Sequence, residues 1–186
     1  LSPASWDLCV DRELPELDRE TPIVLGIDAA VSGDSFAAVA VSRHPRHHDQ
    51  PAVRAVKVWD PRRLPGRRVD FLEVERWLEQ LCGGQCANGH VRSERRPDCT
   101  PCTANAFQGA FNVVQIVYDP YQMEATAQRL RRLHLTWLWP CDQAAARWIC
   151  DSDFHKYVLT KRLAHNGDEL LREHVLNARA KLQKDE

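Results

Sequence analysis

Two aspartates close apolar runs in this chain. Asp28 falls in IVLGIDAA (Ile23 to Ala30), and Asp119 follows NVVQIVY (Asn112 to Tyr118) and precedes Pro120. Open α/β sheets gather their ligands at the carboxyl ends of strands, near a switch in strand order. If these two strands are adjacent and parallel, both carboxylates emerge at one edge, and they repel unless a cation lies between them. Oxygen ligands without a nearby His or Cys favour Mg2+ or Mn2+ over zinc. One or two such ions activate water and stabilise the leaving oxygen of a phosphodiester. The competing reading is that each aspartate only caps a turn, since Asp before Pro is common there. Asp34, in the turn VSGDS, reads as solvated turn chemistry rather than as an outer ligand.

A second cluster is made of thiols. Of the 7 cysteines, Cys82, Cys86, Cys99 and Cys102 crowd together, while Cys9, Cys141 and Cys150 are scattered. Without a secretory pattern, such clustering favours a metal site over a disulfide framework. CTPCTAN reads as one knuckle of a structural Zn2+ site, but the Cys82–Cys86 half departs from the usual CxxC spacing. Cys86 with His90 is the alternative pair, giving three Cys and one His. The stretch is rich in Gly, Pro and Arg and has little apolar material, so metal ligation would supply its missing folding free energy, about 10 kcal/mol in small zinc peptides. A free or disulfide-linked loop is the other reading. A four-ligand site is closed, which argues against a catalytic zinc.

The elements that must position these groups are legible from periodicity. Ile23 to Ala30 reads as a buried central strand, Phe36 to Ser42 as a second and Val53 to Trp59 as a third, forming an antiparallel meander. Asp70 and Glu73 stand as a capping-box variant before a helix with Phe71, Val74, Leu78 and Leu81 on one stripe. Residues 82–111 interrupt the pattern as an insertion. Asn112 to Tyr118 is a fourth strand, residues 121–133 a helix, and Leu135 to Trp139 a fifth strand. Further helices start near Asp142 and at Asp168, the latter with Leu171, Val175, Ala178 and Leu182 on one face. Residues 1–20 read as an irregular lead-in anchored by Trp6, Leu8 and Val10. A meander followed by alternating helices and strands implies an α/β fold. The order is that of a ribonuclease H-like mixed sheet, a three-strand antiparallel meander plus parallel strands flanked by helices, over residues 1–186.

Composition excludes several classes. With 186 residues, 44% hydrophobic and 27% charged, the chain suits one globular domain, not a disordered chain or a coiled coil. No apolar run is long enough for a membrane span, and the start lacks the pattern of a signal peptide. The missing initial Met leads us to expect a piece of a longer protein. The net charge is only −1, yet residues 43–68 carry many Arg, with Arg62, Arg63, Arg67 and Arg68 around Pro-Gly turns. Arg129, Arg131 and Arg132 follow the fourth strand, and Arg92, Arg95 and Arg96 lie in the insertion. Such clusters neutralise phosphates without sequence readout, or are simply solvated surface. His44, His47 and His48 read as a solvated hairpin tip.

The stretches SPASWDLC, IVLGIDAAVSGDSFAAVAV, VVQIVYDPYQMEATAQRL and RLAHNGDELLREHVLNA, in this order, resemble the nuclease domain of the large terminase subunit of tailed bacteriophages. The resemblance implies a ribonuclease H-like fold and two-metal cutting of double-stranded DNA concatemers with Mg2+ or Mn2+. It implies as partners a terminase ATPase domain, a small terminase subunit and a portal, and a virus-encoded protein in the host cytoplasm. Asp28 and Asp119 match the first two family carboxylates. The third usually lies beyond the NA-containing helix, and the sequence ends at KLQKDE; Asp168 is the substitute, although HNGD before ELLREHVLNA makes it a helix N-cap. His165 and His174 match family-like positions and read as packing or capping groups. The family pattern says nothing about residues 82–111. Alternatives are a Holliday-junction resolvase, an integrase-like enzyme, or a catalytically degenerate DNA-binding scaffold.

Overall fold

The computed structural model describes residues 1–29, 35–141 and 143–177. The expectations placed on Ala30, Asp34, Asp142, Ala178 and Leu182 lie outside the described residues. In chain order the elements are α1 (Pro3–Asp7), β1 (Ile23–Asp28), β2 (Phe36–Arg43), β3 (Pro51–Trp59), α2 (Phe71–Gly83), α3 (Thr100–Thr103), β4 (Val113–Tyr118), α4 (Pro120–Arg132), β5 (Trp137–Pro140), α5 (Gln143–Leu159), β6 (Ala164–His165) and α6 (Glu169–Asn177). The strands form one mixed sheet in the order β5-β4-β1-β2-β3-β6. β1, β2 and β3 pair antiparallel as a meander, while β4 pairs parallel with both β1 and β5. This is the expected architecture.

One face of the sheet is sealed by α2 and α4. Ile23, Leu25, Ile27, Phe36, Ile116 and Tyr118 pack there against Val74 and Leu78 of α2 and Met123 and Ala127 of α4. Each fully buried aliphatic side chain of this kind stabilises the fold by about 1.5–3 kcal/mol. The stripe of α2 is as its spacing predicts: Val74 and Leu78 are fully buried, with Phe71 and Leu81 at its flanks. Asp70 caps that helix by accepting from the Leu72 amide at 2.9 Å. Glu73 does not complete a reciprocal capping box; it accepts from Trp59 Nε1 at 3.0 Å and ties α2 to the end of β3. Glu75, buried on α2, accepts from Thr126 Oγ1 at 2.7 Å and from Arg129 of α4. A buried carboxylate is tolerable only when paired in this way.

The opposite face is covered only in part. Trp6, Cys9, Val53, Val158, Leu163 and Leu171 form a second, smaller core, and Val39 of β2 packs against it. This layer brings α1, the end of α5 and α6 onto the β2, β3 and β6 side. On the β1, β4 and β5 side, Val24, Trp137 and Trp139 are exposed. β1 therefore alternates buried and exposed, although its continuous apolar run reads as a strand buried on both faces.

Two elements carry weak sequence signals. α1 lies in a stretch that reads as an irregular lead-in, yet Ser2 accepts from the Ser5 amide at 3.1 Å and Pro3 opens the helix. β6 has only two residues and no period to detect. It pairs with β3 at Ala52 and Val53, and its His165 bridges to Val10. His165 is fully buried and stacks on Trp6 with ring centroids 4.1 Å apart. It packs, as one of its two readings has it. His44, expected at a solvated hairpin tip, is buried: its Nε2 lies 2.9 Å from Asp11 Oδ2, and its Nδ1 accepts from the amides of Arg46 and His47. The lead-in folds back over the hairpin, which no local pattern announces.

Burial pushes the His165 imidazole below its ordinary value, against the pull of the Trp6 carbonyl and of Asp7 and Asp168. The unfolded chain then binds more protons than the native one near this group, so stability rises with pH. The contribution is complete above the unfolded value of about 6.5 and is lost as pH falls from there through the folded value. Urea melts at about pH 7.5 and about pH 5.5 should show this loss in the wild type and a weaker pH dependence in His165→Asn. No helix among the described residues is long and apolar enough to cross a membrane.

Candidate functional site

The pairing of β1 with β4 decides where the two aspartates go. The strands are parallel, with Ile27 opposite Tyr118. Asp28 is the last residue of β1, and Asp119 is the first residue after β4. Both follow the same register pair, on neighbouring strands about 4.8 Å apart. Asp28 follows Ile27, which is buried under α2 and α4, and by strand alternation it takes the opposite face; Asp119 lies one residue beyond the end of β4. Asp28 is exposed and Asp119 half-buried. Asp119 is also the N-cap of α4, with Oδ1 accepting from the Tyr121 amide at 2.9 Å. Capping and ligation are thus compatible here, because the cap uses one carboxylate oxygen. Carboxylate oxygens are the donor type that a hard divalent cation takes.

Asp168 is not part of this pair. It is the N-cap of α6, its Oδ1 accepting from the Leu171 amide at 2.7 Å. It follows β6, and three steps across the sheet separate β6 from β1. His174 is exposed on α6.

The basic residues divide between the two ends of the sheet. β3 runs through the middle of the 43–68 cluster and carries its halves apart. The loop after Trp59 lies at the carboxylate end, because Trp59 pairs with Phe36 beside the start of β2, and Ala37 pairs with Asp28. The loop that carries Arg62, Arg63, Arg67 and Arg68 therefore starts at the same end of the sheet as the aspartates, two strands from β1, with Arg62 and Arg63 partly neutralised by Asp60 at 2.9 and 3.5 Å. Arg43 and Arg46 lie at the far end. Arg129 and Arg131, in the last turn of α4, are held by Glu75 and Glu124. In the insertion, Arg95 donates to the carbonyls of Cys102 and Thr103, and Arg92 stacks on Phe107.

The thiols assemble elsewhere. Cys86, His90, Cys99 and Cys102 present ligand atoms that all lie within 4.8 Å of one another, the one such group of three or more among the described residues. Cys82 is not in the group. It sits at the end of α2, packed against the main core, and burial pushes its thiol up to about 12. A thiol held protonated is a poor metal ligand. The Cys102 backbone amide, ahead of the Cys102 thiol, Asn88 and His90, holds the Cys99 thiol down to about 6 against the cost of burial. His90 thus takes the place that the four-Cys reading gives to Cys82. The reason is geometric: helix α2 continues through Cys82 to Gly83 and keeps that thiol one turn short of the loop.

The neck of this loop is closed by Gln85 and Gln108, each donating its amide to the other's carbonyl at 2.9 Å. Gly84 makes the approach possible. Its φ is +72°, and a Cβ there would lie 2.4 Å from the Gln108 carbonyl oxygen. Gly84→Ala is expected to cost about 1–3 kcal/mol in thermal melts, from backbone strain plus the clash. Gly89→Ala, at φ +78° but in open space, should cost about 1 kcal/mol, from the left-handed backbone alone.

No protein-family model matches this chain, and no curated protein matches it in sequence. Solved structures match it in fold. The large terminase of bacteriophage HK97 is 13% identical with a TM-score of 0.58, over 92% of this chain and 35% of that one. The large terminase nuclease of the thermophilic phage G20c, solved with bound zinc, is 11% identical with a TM-score of 0.55, over 95% of this chain and 86% of that one. The human cytomegalovirus terminase nuclease domain, manganese-soaked and inhibitor-bound, is 9% identical with a TM-score of 0.51, over 94% of this chain and 82% of that one. The fold is therefore the ribonuclease H-like mixed sheet of terminase nuclease domains. The chain spans 35% of the length of the HK97 protein.

Proposed function

We propose that this chain is a metal-dependent endonuclease domain that cuts double-stranded DNA concatemers during phage genome packaging. The observation that supports the reading is that Asp28 ends β1 and Asp119 follows the end of β4, its parallel neighbour. The likeness in fold to terminase nucleases, one of them manganese-soaked, supports it. In this reading Asp28 and Asp119 hold Mg2+ or Mn2+, and Asp168 is left to its cap. When bound, such ions supply an activated water and stabilise the leaving oxygen of the phosphodiester. The chain's own contribution is placement. The cap on α4 fixes the Asp119 carboxylate, and the end of β1 holds Asp28 beside it. Arg62, Arg63, Arg67 and Arg68 meet the phosphate backbone without reading bases, so binding falls steeply with salt. An ATPase domain, a small terminase subunit and a portal are the partners this reading carries, in the host cytoplasm.

The test is nicking of supercoiled plasmid by the purified chain. Cutting is expected with Mn2+ and absent with excess EDTA. Equal cutting in both, or none with any divalent metal, overturns the reading.

A further inference from the structure

We propose that residues 86–102 form a closed structural zinc knuckle whose ligands are Cys86 Sγ, His90 Nδ1, Cys99 Sγ and Cys102 Sγ, with Cys82 outside it. The geometry is that of a tetrahedron. Zn–S bonds of about 2.3 Å and a Zn–N bond of about 2.0 Å place neighbouring ligand atoms about 3.5–3.8 Å apart. Cys102 Sγ lies 3.6 Å from Cys86 Sγ and 3.4 Å from His90 Nδ1, and Cys86 Sγ lies 3.6 Å from the same nitrogen. Cys99 Sγ closes the set within 4.8 Å. The sulfur–sulfur distance is far above the bond length of a disulfide, about 2.05 Å.

The backbone is folded around that point. The Cys86 amide donates to the His90 carbonyl at 3.0 Å and the Gly89 amide to the Cys86 carbonyl at 2.8 Å, turning both side chains inward. Cys99 is the N-cap of α3, and Cys102 follows on its first turn, so the CxxC pair faces one way. Asn88 Nδ2 donates to Cys99 Sγ at 3.3 Å, the kind of outer hydrogen bond that orients a thiolate ligand. Cys86, Cys99 and Cys102 are buried, and Phe107 is the apolar side chain packed on them. Three thiols and one ring are too little apolar surface to fold such a segment, so the ion supplies the free energy.

The knuckle is structural rather than hydrolytic. Its four positions are filled by protein, which leaves no site for water. It leaves the sheet at the start of β4, whereas Asp119 follows the end of that strand, about 20 Å away at about 3.3 Å per residue. Ser93 donates through its amide and hydroxyl to Glu79, and Arg76 pairs with Glu94 at 3.1 Å. The knuckle is therefore braced against α2.

The test is metal content of the full chain purified without added metal. About one zinc per chain is expected by elemental analysis. Cys82→Ser should match the wild type. Cys99→Ser and Cys102→Ser should lose the zinc. His90→Ala should surrender it to a chelator dose that leaves the wild type loaded, and His90→Cys should retain it. Cobalt loaded into the wild type should give tetrahedral d–d bands with thiolate charge transfer, a readout that does not depend on any variant folding. A zinc-free wild type without those bands, or zinc loss in Cys82→Ser matching that in Cys99→Ser, overturns the proposal. Asp28→Asn should keep its zinc, so failure here and failure of the nuclease reading are separable.

Discussion

Asp28→Asn is expected to lower manganese-dependent plasmid nicking by more than about 10²-fold, since even outer-shell partners of a metal contribute 10- to 100-fold. Asp28 is exposed at the end of β1, so the melting transition should stay within about 1 kcal/mol of the wild type. Asp119→Asn should lose as much activity. Asparagine caps a helix about as well as aspartate, so the Tyr121 amide keeps its acceptor and α4 keeps its start. Asp119→Ala is the less informative change, because loss of the cap adds about 1 kcal/mol of instability to any loss of ligation. Asp168→Asn is the control. It too preserves a cap, and it lies across the sheet from the pair, so nicking should be unchanged. Wild-type activity in either Asp28→Asn or Asp119→Asn removes that residue from the mechanism. Loss of activity in Asp168→Asn at unchanged stability would make it the third ligand.

The largest stability effect is expected at Trp6. Its ring is fully buried, stacks on His165 at 4.1 Å and meets Phe154 of α5 at 6.2 Å. It thereby clamps α1, α5 and β6 on the thinner face of the sheet. Trp6→Ala should cost about 3–5 kcal/mol, read as a lower urea midpoint at unchanged m-value. Its indole N–H is buried without a partner among the described residues. Trp6→Phe removes that N–H and keeps the stack, so its cost should be well below that of Trp6→Ala. A Trp6→Ala protein within about 1 kcal/mol of wild type would show that α1 is dispensable to the second core.

Much of this was legible in the chain. The apolar runs ending at Asp28 and Asp119 predict strands, and the strands lie where the runs do, shifted by a residue or two at their ends. The stripe of Phe71, Val74, Leu78 and Leu81 predicts α2 for the same reason: burial on one helical face demands that period. What local pattern does not encode is pairing between distant segments. α1 and β6 are held by each other through Trp6 and His165, and neither has a period of its own. His44 looks solvated in RHPRHHD until Asp11 folds over it.

By itself, then, the sequence determined the order of β1 to β5 and of α2, α4, α5 and α6 among them, the carboxylates closing two of the strands, and a thiol-rich insertion unable to build an apolar core. These follow from periodicity and side-chain chemistry, which act over a few neighbouring residues. Only the tertiary structure decided that β1 and β4 run parallel side by side, that His90 and not Cys82 joins the thiols, and that β3 sends the halves of one arginine cluster to opposite ends of the sheet. Those outcomes depend on which surfaces exclude water together, a property of the packed whole that no short stretch of residues carries.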